Sequence, residues 1–196
     1  MNNNSILQWN CQGLRSKKDE LLSLISTHKP LVVGLQEIKL RDTATFSIPQ
    51  YVIHRREGHN NVTAHGGVAL MIHQSIPHHL LPSRTELQAV AVKICISRPV
   101  TVVSIYSSRN HDLTEALMTD LLNQLHHPVL LLGDFNSYHE VWGCVRTDPR
   151  GVIMANTIDT HNLVLLNDGQ PTRITLKSET AIDLSICSPT LAPQLV

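Results

Sequence analysis

Three apolar segments of this chain each end in residues that can bind a cation or hold a proton. LVVGLQE runs into Gln36-Glu37, VLLLGD into Gly133-Asp134, and LVLLND into Asn167-Asp168. An apolar strand that delivers a carboxylate at its carboxyl end fixes an acid at the rim of a rigid core. Two such acids brought together suit a hard divalent cation, which prefers carboxylate oxygen. Each acid also has a plainer reading. Asp168 precedes Gly169 in an NDG string typical of turns, and Glu37 and Asp134 would serve equally as solvated strand ends. The string GDFN, residues 133–136, adds more. Gly133 lets the chain turn tightly after a buried strand. Asp134 and Asn136 lie two apart, so an extended chain points both the same way. A carboxylate and an amide on one side can orient or deprotonate a water and hydrogen-bond a phosphate oxygen.

The elements that must position these residues are legible from periodicity. Short runs rich in β-branched residues predict strands near 5–11, 31–37, 51–55, 66–73, 87–96, 100–106, 129–134, 163–167 and 181–187. Helical spacing predicts helices over 16–28, 114–126 and 150–161. Ser16 is expected to cap the first, with Asp19 as its capping-box partner. Leu21, Leu22, Leu24 and Ile25 form its apolar stripe, and Pro30 lies beyond its end. Thr114 is the expected cap of the second. A strand-helix-strand pattern over 5–37 recurs over 100–134, which suggests two similar halves facing each other. Strands that are apolar almost throughout suit sheets covered on both faces, a layered α/β sandwich. No linker or low-complexity segment divides the chain, so residues 1–196 read as a single domain.

Composition sets outer bounds. Hydrophobic content of 42% with 16% charged residues describes a chain that folds. The 16 basic and 16 acidic side chains cancel, so any nucleic-acid contact must come from a local patch. Cys11, Cys95, Cys144 and Cys187 form no close pair and read as reduced, mostly buried thiols. The doublets His78-His79 and His126-His127 each adjoin a proline and read as solvated loop histidines rather than ligands. The start, MNNNSILQWN, has no basic or apolar leader, and no apolar run reaches the ~18 residues of a membrane span, so an intracellular location with no membrane partner is expected.

Five short strings, QWN (8–10), QE (36–37), SIY (104–106), GDFN (133–136) and IDL (182–184), occur in the order found in the exonuclease–endonuclease–phosphatase superfamily, which the chain resembles. That superfamily includes apurinic/apyrimidinic endonucleases and pancreatic deoxyribonuclease. The longer stretches GDFNSYHEVWG, RTDPRG, LVLLNDGQPTR and AIDLSICSP are similar to the endonuclease domain of non-LTR retrotransposons, jockey-like elements in particular. The resemblance spans essentially the whole chain. It implies an α+β, deoxyribonuclease-like fold: a four-layered α/β sandwich of two packed mixed β-sheets flanked by helices.

Position by position, the resemblance makes Glu37 the principal metal ligand and Asn10 an asparagine beside metal and phosphate. Tyr106 would contact the scissile phosphate, Asp134 would orient the attacking water, and Asn136 would help bind phosphate. Asp183 would position a catalytic histidine. His139 and, less directly, Thr172 fall at phosphate- or DNA-contacting positions. The bland alternatives are structural: a turn for Asn10, a core aromatic for Tyr106, a strand end for Asp183. Cations for DNA would come from loops, with Arg15, Lys39 and Arg41 foremost and Lys17, Lys18, Arg55 and Arg56 near them. Magnesium is the implied cofactor, with manganese as a substitute. The implied partners are double-stranded target DNA and a downstream reverse transcriptase domain of the same polyprotein, with the isolated domain a monomer acting in the nucleus.

One departure stands out. The family's final Ser-Asp-His string, which supplies the catalytic histidine, does not occur in these 196 residues. The expectation is therefore a single domain lacking that motif, which either lies beyond Val196 or has been lost from a degenerate element. Two rivals remain open: a phosphatase or phosphodiesterase acting on a non-DNA substrate, and a remnant that binds DNA without cutting it.

Overall fold

The computed structural model describes residues 5–58, 65–175 and 179–195. The first four residues of the start read for a leader lie outside that range. Strand β1 (Ile6–Asn10) leads through helix α1 (Lys18–His28) to β2 (Val32–Gln36), parallel to β1 and hydrogen-bonded to it. Strands β3 (Tyr51–Arg56) and β4 (Val68–His73) complete a four-stranded sheet in the order β1-β2-β4-β3. Strands β5 (His78–Leu81), β6 (Gln88–Cys95) and β7 (Pro99–Tyr106) begin the second sheet. Helix α2 (Glu115–Asn123) carries the chain from β7 to the parallel strand β8 (Val129–Asp134), and α3 (Pro149–Thr160) follows. After β9 (Val164–Leu165) come a two-stranded hairpin of β10 (Arg173–Ile174) and β11 (Glu179–Thr180), then β12 (Asp183–Cys187). The second sheet runs β5-β6-β7-β8-β12-β9. Among the described residues no helix is long and apolar enough to cross a membrane.

The fold is α+β, two mixed sheets with three helices. Three apolar clusters fill the gaps between layers. Leu14, Leu21 and Ile25 of the α1 region pack on β2 and β4. Val68, Leu70 and Ile72 of the first sheet meet Val92, Leu130 and Leu132 of the second. Met118, Leu121 and Met154 of α2 and α3 cover its far face. Helix, sheet, sheet, helix is the expected four-layered order. The two halves correspond strand by strand: β1-α1-β2 followed by antiparallel β4 matches β7-α2-β8 followed by antiparallel β12. The sheets approach closely at Gly34 of β2, where an added Cβ would lie 2.8 Å from Leu132 Cδ1 of β8.

Local expectations hold where tertiary packing agrees with them. Thr114 caps α2, accepting from the Leu117 amide at 3.2 Å. Ser16 does not cap α1: the chain makes a turn over 14–17 first, Ser16 Oγ donates to Gly13 O, and the helix starts at Lys18. The histidine doublet at 78–79 lies in edge strand β5 rather than a loop, because the β6 partner supplies pairing that local propensity does not reveal. His126 and His127 do lie in a loop, and Cys95 alone of the four free cysteines is exposed.

Candidate active site

The two strand-helix-strand halves place their functional residues at equivalent ends. In the first sheet Asn10 pairs in register with Gln36, immediately before Glu37. In the second Tyr106 pairs with Asp134, and Asp183 pairs with Asp134 from the other side. Packing the sheets face to face therefore brings four strand ends to one edge. The alignment is held by two glutamines, Gln36 buried and Gln8 half-buried. Gln36 Nε2 donates across the interface to Ser104 Oγ at 3.0 Å and Leu132 O at 3.1 Å. Gln8 Nε2 donates to Gly133 O at 3.2 Å while its Oε1 accepts from Ser185 Oγ at 2.8 Å.

A cleft of ≈ 320 Å³ opens at this edge, lined in part by Asn10, Glu37, Asp134, Asn136, Thr172 and Asp183. Asn10 Nδ2 is the hinge of the arrangement. It donates to Glu37 Oε1 at 3.0 Å and to Asp134 Oδ2 at 2.7 Å, bridging the two sheets through one amide. Glu37 Oε2 pairs with Lys39 Nζ at 2.9 Å. Asp134 is 2% exposed, and its Oδ1 accepts the Asn136 amide at 2.9 Å. Burial, then the charge of Asp183, pushes its carboxyl up to about 7. Tyr106 is raised by burial and then by the charges of Glu37 and Asp134, and it hydrogen-bonds Glu37, so the phenol stays protonated. Its ring lines an adjoining groove with Ser107.

Asp183 is held by Thr172, whose hydroxyl donates to Asp183 Oδ2 at 2.7 Å and lies 3.2 Å from the Ile182 and Asp183 amides, which donate to it. The other oxygen, Asp183 Oδ1, is buried without a partner, and burial raises this carboxyl too. Replacing Thr172 with valine should cost about 1–3 kcal/mol in chemical denaturation, because it strips those polar groups of a partner without changing shape. Serine at the same position should restore most of the loss; equal stability of the valine variant and the parent would contradict the role assigned to this hydroxyl.

The donor set fits a hard cation that keeps part of its water. Among the described residues no three His, Cys, Asp or Glu side chains close on one point. What the cleft offers is oxygen from Glu37, Asn10 and Asp134, with the unpartnered Asp183 Oδ1 behind. Magnesium is bound through few carboxylates and several waters, and the like charges that raise Asp134 and Asp183 are what a divalent cation would offset.

Other expected residues lie apart. His139 Nδ1 accepts the Val141 amide at 3.1 Å and its ring packs on Trp142, so it shapes the Glu140–Trp142 3₁₀ turn and does not line the cleft. Arg15 lines a separate cavity with Lys18 and Phe46. Arg41 is exposed on the segment after Leu40. Lys17 pairs with Glu20, Arg55 with Glu57, and Arg56 donates to Thr85 O. At the LND string it is Asn167 that faces the cleft and donates to Asp183 O at 2.9 Å, whereas Asp168 takes the turn role, accepting the Gln170 amide. Gln8, Arg173 and Ser185 also line the cleft without having been named as site residues; for Gln8 the signal was present, as the first residue of the QWN string.

Residues 100–196 match the family described as Endonuclease-reverse transcriptase. The chain is 25% identical over 172 residues to the probable RNA-directed DNA polymerase from transposon X-element of Drosophila melanogaster, covering 86% of this chain and 19% of that protein. It is 26% identical over 167 residues to the RNA-directed DNA polymerase from mobile element jockey of the same fly, covering 84% and 18%. The chain thus spans about a fifth of the length of these relatives. Among solved structures, the endonuclease domain of TRAS1, a telomere-specific non-LTR retrotransposon, superposes with a TM-score of 0.81 at 19% identity, covering 96% of this chain and 86% of that one. The apurinic/apyrimidinic endonuclease LMAP from Leishmania major follows at 0.75 and 15%, covering 97% and 80%. These likenesses show the fold.

Proposed function

We propose that this chain is an endonuclease domain of the non-LTR retrotransposon kind and that it nicks double-stranded DNA by hydrolysing one phosphodiester bond; the Endonuclease-reverse transcriptase match over residues 100–196 and the likeness to transposon polymerases support the reading. The observation that supports this reading best is the amide of Asn10 bridging Glu37 and Asp134 at the mouth of a polar cleft. Such a site holds two carboxylates at a fixed separation on the wall of a cleft of ≈ 320 Å³.

The roles follow from environment. Asp134, with a carboxyl near 7, is poised to take a proton from water at neutral pH, where a base is most effective. Asn10 and the Asn136 amide fix its orientation, so attack can come from one direction. The protonated phenol of Tyr106 can donate a hydrogen bond to a phosphate oxygen. Burial first, and then the charge of Asp183, which Thr172 and Asn167 support, keep Asp134 basic. Magnesium, or manganese in its place, held by Glu37 and Asn10, would neutralise charge building on the phosphate. The products would be a 5′ phosphate and a 3′ hydroxyl, the latter priming reverse transcription by a polymerase domain of the same polyprotein in the nucleus, with the endonuclease domain itself acting as a monomer.

Nicking of supercoiled plasmid tests the reading. The folded chain with magnesium should convert supercoiled DNA to open circles, and EDTA should stop it. Nicking that persists in EDTA would remove the metal from the mechanism. A folded chain that leaves plasmid intact but hydrolyses small phosphoesters would replace DNA as the substrate.

A further inference from the structure

The Asn136 side of the cleft carries positive charge that the chemistry above does not use. Tyr138, two residues beyond Asn136, has two guanidinium groups over its ring. Arg109 Cζ lies 5.4 Å and Arg146 Cζ 5.3 Å from the ring centroid. Arg109 also donates through Nε to Asn136 Oδ1 at 3.3 Å and through Nη2 to the Tyr138 hydroxyl. Both arginines are exposed, and among the described residues neither has an acid within ion-pair distance. Stacking on one aromatic ring keeps the two like charges together.

The platform is rigid relative to Asp134. The Tyr138 amide donates to Asp148 Oδ1 at 3.2 Å, and the Asp148 amide donates to Tyr138 O at 2.9 Å. Arg150 ties the surrounding loops down, its guanidinium donating to the carbonyls of Ser107, His111 and Phe135. Asn136 itself has both ends of its amide engaged, Oδ1 with Arg109 and Nδ2 with Ser107 O at 3.2 Å. The exposed donors on this flank therefore belong to Arg109 and Arg146.

We infer that Arg109 and Arg146, paired on Tyr138, seat the DNA backbone beside the cleft, each guanidinium taking a phosphate. The inference rests on DNA being the substrate. A planar fork already held by stacking loses less freedom on meeting a phosphate than a free lysine does. Two phosphate contacts placed next to Asp134 would set the register of the strand without reading its bases.

Binding of a short fluorescent DNA duplex in EDTA, titrated across salt concentrations, tests this without cleavage. The double variant Arg109→Ala/Arg146→Ala should lower the slope of log affinity against log salt by roughly 2. Its affinity should fall roughly 10- to 100-fold at about 0.1 M salt, since each contact contributes about one power of ten between 0.1 and 1 M. Lys93→Ala, which removes one positive charge from β6 well away from the Gln88–Tyr106 end, should leave the slope unchanged. Arg109→Lys/Arg146→Lys keeps both charges but not the stacking, so it should recover the slope and only part of the affinity. An unchanged melting temperature separates the loss from misfolding. A double alanine variant that binds like the parent, an equal loss in Lys93→Ala, or tighter parental binding to an RNA duplex would each overturn the proposal. A parent that binds no duplex at all would sink the nuclease reading first, and this inference with it.

Discussion

Asp134→Asn should lower plasmid nicking by about 10²–10⁴-fold, the usual contribution of a positioned base, while making the protein more stable. The two effects have one cause. Burial and the neighbouring Asp183 push the Asp134 carboxyl up to about 7, so its charged form destabilises the folded state relative to the unfolded chain, where an aspartate titrates at 3.8. Between about pH 4 and 7 the folded state holds a proton that the unfolded state has released, so stability falls as pH rises through that window and is flat above it. The asparagine variant escapes this loss. Each pKa unit is worth about 1.4 kcal/mol, and the weaker hydrogen bonds of an amide to Asn10 and Asn136 take some of that back. The gain should therefore be on the order of 1–3 kcal/mol at pH 8 and shrink towards zero near pH 4. Urea denaturation at the two pH values decides it. A variant less stable than the parent at pH 8, or a gain independent of pH, would mean that Asp134 is not held against its own charge.

That trade is general to the edge where the strands end. Residues with positive φ gather there: Gln12 (48°), Glu37 (50°), Lys39 (47°) and Asn136 (47°), none of them glycine. Left-handed backbone at non-glycine positions persists where the surrounding structure over-determines it, and it concentrates at functional sites. The same edge holds Asp183 Oδ1 and Ser137 Oγ, buried without partners. Local rules are broken where the carboxylates converge, and kept in the apolar layers behind them.

This pattern explains what could be read from the sequence. Long apolar runs such as 129–134 gave their strand to the residue, because burial on both faces leaves no competing period. The correspondence of the two halves was visible as a repeated strand-helix-strand order, and it placed Glu37 and Asp134 at equivalent ends. Strands whose only support is a partner, β5 at 78–81 and the β10-β11 hairpin, left no local trace. Within the site, motif residues were legible and their supports were not. Asn167 was masked by the stronger turn signal of Asp168-Gly169. Arg150 looks like any arginine near a helix start, yet its guanidinium gathers carbonyls from residues 107, 111 and 135, which only the fold brings together. Charges were the least legible: Lys39 sits on Glu37, while Arg15 and Arg41, equal to it on paper, lie elsewhere.

Glu37 should separate the chemistry of this edge from its backbone. Replacing it with glutamine, alanine or glycine should in each case reduce nicking by about 10²–10³-fold or more, as expected when a charged group that stabilises the transition state is removed. The three should differ in stability. Glutamine keeps an oxygen for the Asn10 amide and should stay near the parent. Alanine keeps the strained φ of 50° and loses the hydrogen bond and the Lys39 pair, so it should be the least stable. Glycine loses the same contacts but adopts the left-handed conformation without steric cost, and should exceed alanine by about 1 kcal/mol, against its usual disadvantage in a folded chain. Thermal melts of the three variants at one pH give the order directly. An alanine variant more stable than glycine would show that residue 37 does not need the left-handed backbone. Nicking retained by glutamine would show that the charge of Glu37 is dispensable, leaving Asp134 as the carboxylate on which catalysis depends.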